Sequence, residues 1–180
     1  MLLSLFSPVI DAVVGLFAGV LLLRFWMQAV RVRPPQSIAE FIFFVTDWMV
    51  KPLRMVIPGV GGLDLASLVG SYLVALISLT LRLWLVDGYF SVAIFVLAML
   101  KVLQWVINGL TALLVIEVIF SWVNPNAPLA PLVRALNMPL LRPIRRFVPL
   151  LGGMDLSPMV LFLLLQFAGK MVLMASITGM

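Results

Sequence analysis

Four apolar stretches dominate this chain, and each is long enough to cross a lipid bilayer as a helix. A membrane-spanning helix needs about 20 consecutive, mostly apolar residues. The stretches cover about residues 8–30, 65–86, 98–123 and 158–177. Composition agrees, because 64% of the residues are hydrophobic and only 11% are charged, whereas a soluble chain of this size needs a more polar surface. We therefore predict an all-α integral membrane protein with four transmembrane helices.

The first apolar stretch has a rival interpretation as a cleaved signal peptide. A signal peptide carries positive charge before its apolar core, but no Lys or Arg precedes Arg24 in this chain. Pro8 and Asp11 also interrupt the start of the apolar run. We therefore expect the first span to be retained.

The Lys and Arg residues outside the four stretches indicate the orientation of the chain, since cytoplasmic connections carry an excess of them. The connections 31–64 and 124–157 contain four each, whereas the connection 87–97 and both terminal tails contain none. Lys101, just inside the third stretch, weakly opposes the assignment. We expect both long connections in the cytoplasm and both termini outside.

The two halves of the chain resemble each other at a separation of 91 residues. Seven of the 17 positions from 51 to 67 are identical to those 91 residues later, where chance would give about one. The identities align Pro52 with Pro143, Arg54 with Arg145, Pro58 with Pro149, Gly61 and Gly62 with Gly152 and Gly153, Asp64 with Asp155, and Leu65 with Leu156. We predict a tandem duplication of a two-span hairpin, with repeats at residues 1–90 and 91–180. Because each repeat has an even number of spans, the repeats are parallel, which is modest evidence against an alternating-access carrier.

The segment between the two spans of each repeat has apolar residues at helical spacing. It is too short to cross, and we expect an amphipathic helix at the membrane interface or against the bundle. In the second repeat, we expect Arg134 and Asn137 to lie on a different side from the apolar stripe. The predicted stripes are Ile38, Phe41, Ile42, Val45 and Met49 in the first repeat, and Leu129, Leu132, Val133, Leu136 and Leu140 in the second.

A run of prolines, arginines and glycines follows each amphipathic segment. In the second repeat we expect Pro143 to begin a short turn that Pro149 closes, since proline suits a first helical turn. Gly152 and Gly153 permit a tight reversal. Asp155 or Ser157 then caps the last span, with Pro158 in its first turn. The first repeat keeps Pro52, Pro58 and Asp64, but has Ala66 and Ser67 in place of Ser157 and Pro158.

Two interpretations are open for the basic residues of these segments. In the first, they hold the segments inside and contact anionic headgroups, at about 1 kcal/mol each. In the second, they form a docking site for an acidic lipid headgroup or an acidic partner protein. The residues are Lys51, Arg54, Arg142, Arg145 and Arg146. Nucleic acid is not an expected partner, because no extended basic face has interleaved aromatic residues.

Ionisable residues inside the spans are candidates for function, since their burial in lipid is costly. Arg24 and Glu117 lie at similar depths near the cytoplasmic side, and we hypothesise an ion pair between them across the repeats. The alternative is that each extends to the interface independently. Lys170 lies deeper, and it either extends toward the outer surface or meets Asp11 or Asp87.

Other polar residues of the spans have simpler interpretations. Arg82 and Asp87 are expected to anchor the second span at the outer interface. The motif from Gly15 to Gly19 permits close helix approach, and a homo-oligomer formed through it is a further hypothesis.

No arrangement of residues points to catalysis. The chain contains no His and no Cys, which excludes thiol nucleophiles, His-based triads and the common zinc, haem and iron–sulfur ligand sets. We expect no enzymatic activity, no cofactor and no metal site.

Three motifs carry a resemblance to a known family. They are Arg-Pro-Ile-Arg-Arg-x-x-Pro at 142–149, Gly-Gly-x-Asp-x-Ser-Pro-Met at 152–159, and Leu-Leu-Leu-Arg-x-Trp-Met-Gln at 21–28. With the doubled hairpin, they resemble the YGGT family over essentially the whole chain. The resemblance implies a multi-pass protein of the bacterial inner membrane. It also implies links to osmotic or ion homeostasis, to division and envelope organisation, and to cytochrome maturation in plastids.

Two classes of function follow from these observations. The first is a scaffold or assembly factor whose cytoplasmic Pro/Arg segments bind lipid headgroups or a membrane-protein partner. The second is a component of an ion or osmotic-homeostasis channel or transporter that uses Arg24, Glu117 and Lys170. A polar cavity joining those three residues favours transport, whereas a packed interior with exposed arginines favours the scaffold.

Overall fold

Six helices form the computed structural model, which describes residues 2–59, 61–86, 92–148 and 155–178. In chain order they are α1 (Leu2–Ala29), α2 (Gln36–Val56), α3 (Leu65–Val86), α4 (Ala93–Val123), α5 (Ala130–Phe147) and α6 (Ser157–Thr178). The described residues contain no strand. The predicted all-α fold is confirmed.

Four of the six helices are long and apolar enough to span a membrane. These segments are Pro8–Ala29, Leu65–Trp84, Ala93–Val123 and Ser157–Ile177. The third begins five residues earlier than expected, because residues 93–97 are all apolar and continue the helix. Lys101 therefore lies two turns inside α4, about 12 Å from its first residue.

The 91-residue relation pairs α1 with α4, α2 with α5, and α3 with α6. Within each repeat the two spans pack against each other, and the amphipathic helix packs on both. Between repeats, α4 packs against α3 and α1, whereas α6 packs mainly on α4 and α5. Most described side chains of α6 are exposed. The last span lies at the edge of the bundle, because its main neighbours are both in its own repeat.

Side chains from both repeats meet at one end of the bundle, where α2 and α5 lie together. Met27 of α1, Ile42 of α2 and Leu136 of α5 share one buried cluster. The indole Nε1 of Trp26 donates a hydrogen bond to the backbone oxygen of Leu136 at 3.0 Å. We call this end the α2/α5 end.

The amphipathic helices bury part of the predicted stripes, namely Ile42, Val133 and Leu136, together with residues that were not predicted. In α2 the fully buried residues are Ile42, Thr46 and Val50, while Phe41 of the predicted stripe is exposed. In α5, Asn137 was expected away from the apolar stripe but is fully buried. The prediction was wrong at these positions because it ranked side chains by polarity, and a polar side chain can be buried when it has a hydrogen-bond partner.

Prolines lie inside both amphipathic helices and do not begin a separate turn. Pro52 lies within α2, and Pro143 lies within α5, which continues to Phe147. The predicted turn starting at Pro143 was therefore wrong. Both prolines are exposed and near the helix end. Because proline has no N–H, the carbonyl four residues earlier lacks its helical hydrogen bond, and here it can bond solvent or headgroups instead.

The reversal after α2 uses glycine, as the pattern predicts. Gly61 and Gly62 have φ angles of 63° and 83°, a region that residues with a Cβ rarely adopt. The equivalent Gly152 and Gly153 lie outside the described residues, as does Pro149.

Candidate functional site

Arg24 of α1 is buried at the α2/α5 end, with its side chain only 5% exposed. Its Nη1 lies 2.7 Å from Oδ1 of Asp47 and also donates to the hydroxyl of Thr46. Its Nε donates to Oδ2 of Asp64 at 3.2 Å. The guanidinium also lies 4.8 Å from the ring centroid of Phe43. This buried cation is therefore satisfied by α2 and by the residue that precedes α3.

Asp64 links Arg24 to the end of the amphipathic helix. Its side chain is 1% exposed, and it accepts hydrogen bonds from Nη2 of Arg54 at 2.6 Å and from Oγ of Ser67 at 2.7 Å. Burial by itself would raise the pKa of Asp64. The hydrogen bonds from Arg54 and Ser67 and the charges of Arg54 and Arg24 outweigh burial, so this pKa lies below its ordinary value. Asp64 is therefore ionised at neutral pH.

Asp47 extends the arrangement toward the surface. Its Oδ2 lies 3.0 Å from Nζ of Lys51, one turn later in α2. Burial raises the pKa of Asp47, but hydrogen bonds from Arg24 and Lys51 lower it below its ordinary value. We call Arg24, Asp47, Lys51, Arg54 and Asp64 the first-repeat network, which has three positive and two negative charges.

The second repeat keeps one part of this arrangement. Nε of Arg145 donates to Oδ2 of Asp155 at 2.8 Å, and these residues are the equivalents of Arg54 and Asp64. Oδ1 of Asp155 accepts the backbone N–H of Ser157 at 2.9 Å, so Asp155 caps the start of α6. Burial raises the pKa of Asp155, and the bonds from Ser157 and Arg145 bring it below its ordinary value.

A polar residue is fully buried at the same position of both amphipathic helices. Thr46 and Asn137 are 91 residues apart, and each is 0% exposed. Nδ2 of Asn137 donates to Oε2 of Glu117 at 2.7 Å and to the backbone oxygen of Leu113 at 3.0 Å. Each buried polar residue therefore bonds the ionisable residue of the span in its own repeat.

The hypothesised ion pair between Arg24 and Glu117 is wrong. Each of the two residues is bonded within its own repeat, and the described residues show no contact between them. Aspartates are closer to Arg24 because α2 and the start of α3 pack directly on α1. Sequence reasoning missed the roles of Thr46, Asp47 and Asn137, although Thr46 and Asn137, two polar residues 91 apart in the predicted amphipathic helices, were a usable signal.

The basic residues of the candidate docking surface are exposed at the α2/α5 end. Arg142, Arg145 and Arg146 are all exposed at the end of α5, next to the exposed ring of Phe147. Lys51 and Arg54 are exposed in the same way at the end of α2, next to Met55 and Val56. Each repeat therefore presents positive and apolar groups side by side.

A second group of charges lies toward the opposite end of the bundle. Asp11 of α1 has a carboxylate oxygen 3.6 Å from Nη1 of Arg82 and the other 3.7 Å from Nζ of Lys101. Lys101 also donates to Oγ of Ser78 at 3.0 Å and lies 5.3 Å from the ring centroid of Trp105. Arg82 thus contacts Asp11, while Asp87, the other expected anchor of the second span, lies outside the described residues.

Two cavities lie along α4. A mostly apolar one of about 310 Å³ is lined by residues of α1, α3 and α4, including Gly19, Trp26 and Trp105. A polar cleft of about 190 Å³ lies between α4 and α6 and includes Lys170. Neither is lined by Arg24 or Glu117, so neither joins the three charges of the transport hypothesis.

The Gly15 to Gly19 motif faces the same chain. A Cβ added at Gly15 would lie 3.4 Å from Nε1 of Trp105, and Gly19 lines the apolar cavity between α1 and α4. This motif therefore allows α1 to approach α4 within one chain, and a homo-oligomer formed through it stays a prediction.

Comparison with known proteins gives consistent results over the whole chain. The CCB3/YggT family profile matches residues 3–85 and again residues 92–176. An uncharacterized protein of Pseudomonas aeruginosa is 38% identical over 178 residues, covering 92% of this chain and 88% of the relative. An uncharacterized protein of Vibrio alginolyticus is 33% identical, covering 96% and 95%. The uncharacterized protein YggT of Escherichia coli K12 is 36% identical, covering 87% and 82%.

No solved structure matches this chain. The chain belongs to the CCB3/YggT family, and the double match agrees with a tandem repeat.

Proposed function

We propose that this member of the CCB3/YggT family is a non-enzymatic scaffold or assembly factor of the bacterial inner membrane. In this proposal both long connections face the cytoplasm, and the α2/α5 end is the surface that binds lipid headgroups or a partner protein. One observation carries the proposal. The exposed cations at the ends of α2 and α5 lie beside exposed apolar side chains on one side of the bundle, and neither of the two cavities described along α4 joins the internal charges.

Physical chemistry supports a docking role for this surface. An amphipathic helix with Lys and Arg next to large apolar residues associates with anionic membrane surfaces. Guanidinium groups also bind carboxylates and phosphates through paired hydrogen bonds. Arg54 and Arg145 are partly engaged by Asp64 and Asp155. Arg142 and Arg146 are therefore the cations with more freedom to contact a headgroup or an acidic partner.

Site-directed photocrosslinking in native membranes tests the proposal. A crosslinker at Phe147 is expected to give a reproducible protein adduct, and the double variant Arg142→Gln/Arg146→Gln is expected to reduce it. This variant keeps the bond between Arg145 and Asp155. A crosslinker at Ile77, which is exposed on α3, is the matched control. Equal adducts at both positions, or none at Phe147, would contradict the scaffold.

The orientation in this proposal has its own test. The chain lacks Cys, so single cysteines can be introduced at Ser37, Ser91 and Asn126 without competing thiols. We expect an impermeant thiol reagent added outside to label position 91 only. Labelling of position 37 or 126 from outside would reverse the assignment.

The alternative function is a component of an ion or osmotic-homeostasis channel or transporter. Four helices in a chain of this size leave little room for an aqueous pathway, so transport would need an oligomer or a partner. Ion flux in liposomes that contain only the purified protein would overturn the scaffold proposal.

A further inference from the structure

One face of α6 is open, although its counterpart in the first repeat is covered. Residues of α3 that pack toward α4 are buried or half-buried, and they are Leu68, Tyr72, Ala75, Leu76 and Leu79. Their equivalents 91 residues later are exposed, and they are Met159, Leu163, Gln166, Phe167 and Lys170. We call this second set the open face of α6.

Lys170 is the residue that makes this open face costly in lipid. It lies eight residues before Thr178, about 12 Å from the end of α6 toward the bundle centre. Within the described chain it has no ion pair and no hydrogen bond. Ionisable residues at this depth nearly always face a bundle interior or a partner. Covering this face with another helix would remove the unpaired ammonium group from lipid.

The cleft beside Lys170 is polar as well. It is lined in part by Gln104, Asn108 and Thr111 of α4 and by Gln166 of α6. Oε1 of Gln104 is buried and has no hydrogen-bond partner within the described residues. Amide and hydroxyl side chains at such depth are typical of contacts between transmembrane helices.

Asp11 of α1 is the acidic group on the same side of the bundle as Lys170, because α1 begins on the side where α6 ends. It lies three residues after Pro8, the first residue of its apolar span. Its side chain is 43% exposed, and its contacts with Arg82 and Lys101 are longer than direct hydrogen bonds. The other acidic residue of the described spans, Glu117, lies at the α2/α5 end and is bonded to Asn137. Asp11 is therefore able to accept a further cation.

The contact between the repeats provides a template for the docking. Leu79 of α3 shares a buried cluster with Val102 of α4. The 91-residue relation places Lys170 at the position of Leu79 and Asp11 at the position of Val102. An α1 helix at the same level on α6 as α4 has on α3 would therefore bring Asp11 to the level of Lys170. Its rotation would differ from that of α4, because Gly15, the equivalent of Val106, already faces Trp105 of its own chain. The lipid-facing residues Val9, Ile10 and Val13 flank Asp11 and are exposed.

We propose that a second copy of this chain packs its α1 against the open face of α6, with an ion pair between Asp11 of one copy and Lys170 of the next. The contact joins two different surfaces, so it is heterologous and builds either a closed ring or an open row of copies. All copies have the same orientation in the membrane. This proposal concerns self-association and is independent of what the α2/α5 end binds.

Cysteine cross-linking between differently tagged copies tests this contact directly. One copy carries Phe167→Cys and the other carries Ile10→Cys, in a chain that otherwise has no thiol. We expect a cross-linked product that contains both tags. The matched control replaces Phe167→Cys with Ile77→Cys, which is exposed at a comparable distance along α3. An equal two-tag product in the control would overturn the proposal.

A copy carrying both cysteines separates contact between copies from contact within one chain. If α6 folds onto α1 of the same chain, this copy gives an intramolecular cross-link and the mixed experiment gives no two-tag product. That result would overturn self-association. A two-tag product from the mixed copies supports it.

The ion pair is tested by Lys170→Met in the copy that carries Phe167→Cys. Since Lys170 makes no polar contact in its own described chain, this change is not expected to unfold the monomer, and thermal unfolding in detergent checks this. We expect an apparent association constant about tenfold weaker, which corresponds to about 1.4 kcal/mol. Asp11→Asn in the other copy should then add little further loss. Unchanged cross-linking in Lys170→Met would refute the ion pair.

Discussion

The two repeats share one backbone plan but hold different charges at the α2/α5 end, a buried cation in the first repeat and a half-buried anion in the second. In the first repeat, the buried cation Arg24 lies between Asp47 and Asp64. In the second, the anion Glu117 accepts a hydrogen bond from Asn137. Asp64 has a side chain that is 1% exposed, whereas that of its equivalent Asp155 is 32% exposed. The same duplicated carboxylate is thus an internal partner in one repeat and a surface group in the other.

Both repeats contain a hydrogen-bonded ion pair between an arginine and the aspartate ten residues later. Arg54 bonds Asp64 in the first repeat, and Arg145 bonds Asp155 in the second. Each bond ties the end of an amphipathic helix to the start of the following span. This gives the duplicated Pro-x-Arg and Asp motifs an internal structural role, and it leaves Arg142 and Arg146 as the more available surface cations.

The largest expected effect is that of exchanging the buried Arg24 and the half-buried Glu117. Arg24→Glu combined with Glu117→Arg places a third carboxylate beside Asp47 and Asp64. We expect a loss of more than about 5 kcal/mol of unfolding free energy, or failure to fold, since buried charges lose their partners. Thermal unfolding in detergent measures this. Recovery by the double exchange, relative to Arg24→Glu alone, would show that the two residues do pair.

The next effect separates the two equivalent aspartates. Asp64→Asn removes one of the two carboxylates that pair with the buried Arg24. We expect the free energy of unfolding to fall by about 3–5 kcal/mol. Asp155→Asn affects a partly exposed pair and a helix cap, with an expected loss of about 1 kcal/mol. Unfolding of both variants in the same detergent is the measurement. Equal losses would contradict the difference in burial between the repeats.

A smaller effect concerns Thr46 and Asn137, the polar residues buried at equivalent positions of α2 and α5. Asn137→Leu leaves the half-buried Glu117 without its hydrogen-bond donor, at a cost of about 1–3 kcal/mol. Thr46→Val costs less, about 1 kcal/mol, because Arg24 keeps both aspartates. Detergent unfolding distinguishes the two. A larger loss for Thr46→Val would mean that the first-repeat network depends on the hydroxyl.

The smallest effect is a pH dependence that differs between repeats. The pKa of Asp64 and that of Asp155 are both lowered in the folded protein, so their stabilisation is complete above the unfolded pKa of about 3.9 and is lost as the pH falls through the lower folded values. We expect these two groups to cause no change in unfolding temperature between pH 7 and 5, and to lower it below about pH 4. Asp64→Asn should flatten that acid limb more than Asp155→Asn does, and the reverse order would contradict the assignment.

Periodicity and repetition in the sequence were sufficient for the architecture. The length of each apolar stretch predicts a span because bilayer thickness sets helix length. The match between residues 51–67 and 142–158 predicts the duplication, and the amphipathic segments follow from helical spacing. Asp155 as the cap of α6 and the glycine reversal at Gly61 and Gly62 were also predictable, since both depend on local backbone chemistry.

The partners of the charged residues depended on tertiary structure. Depth along a span is readable from sequence, and it placed Arg24 and Glu117 at similar levels. Helix rotation and the positions of α2 and α5 decide which side chains lie next to each other. Neither can be derived from the order of residues in the sequence. The sequence alone therefore determined four spans, two repeats and basic ends. Packing decided that Arg24 is held by Asp47 and Asp64, and that Lys170 is left on an open face of α6.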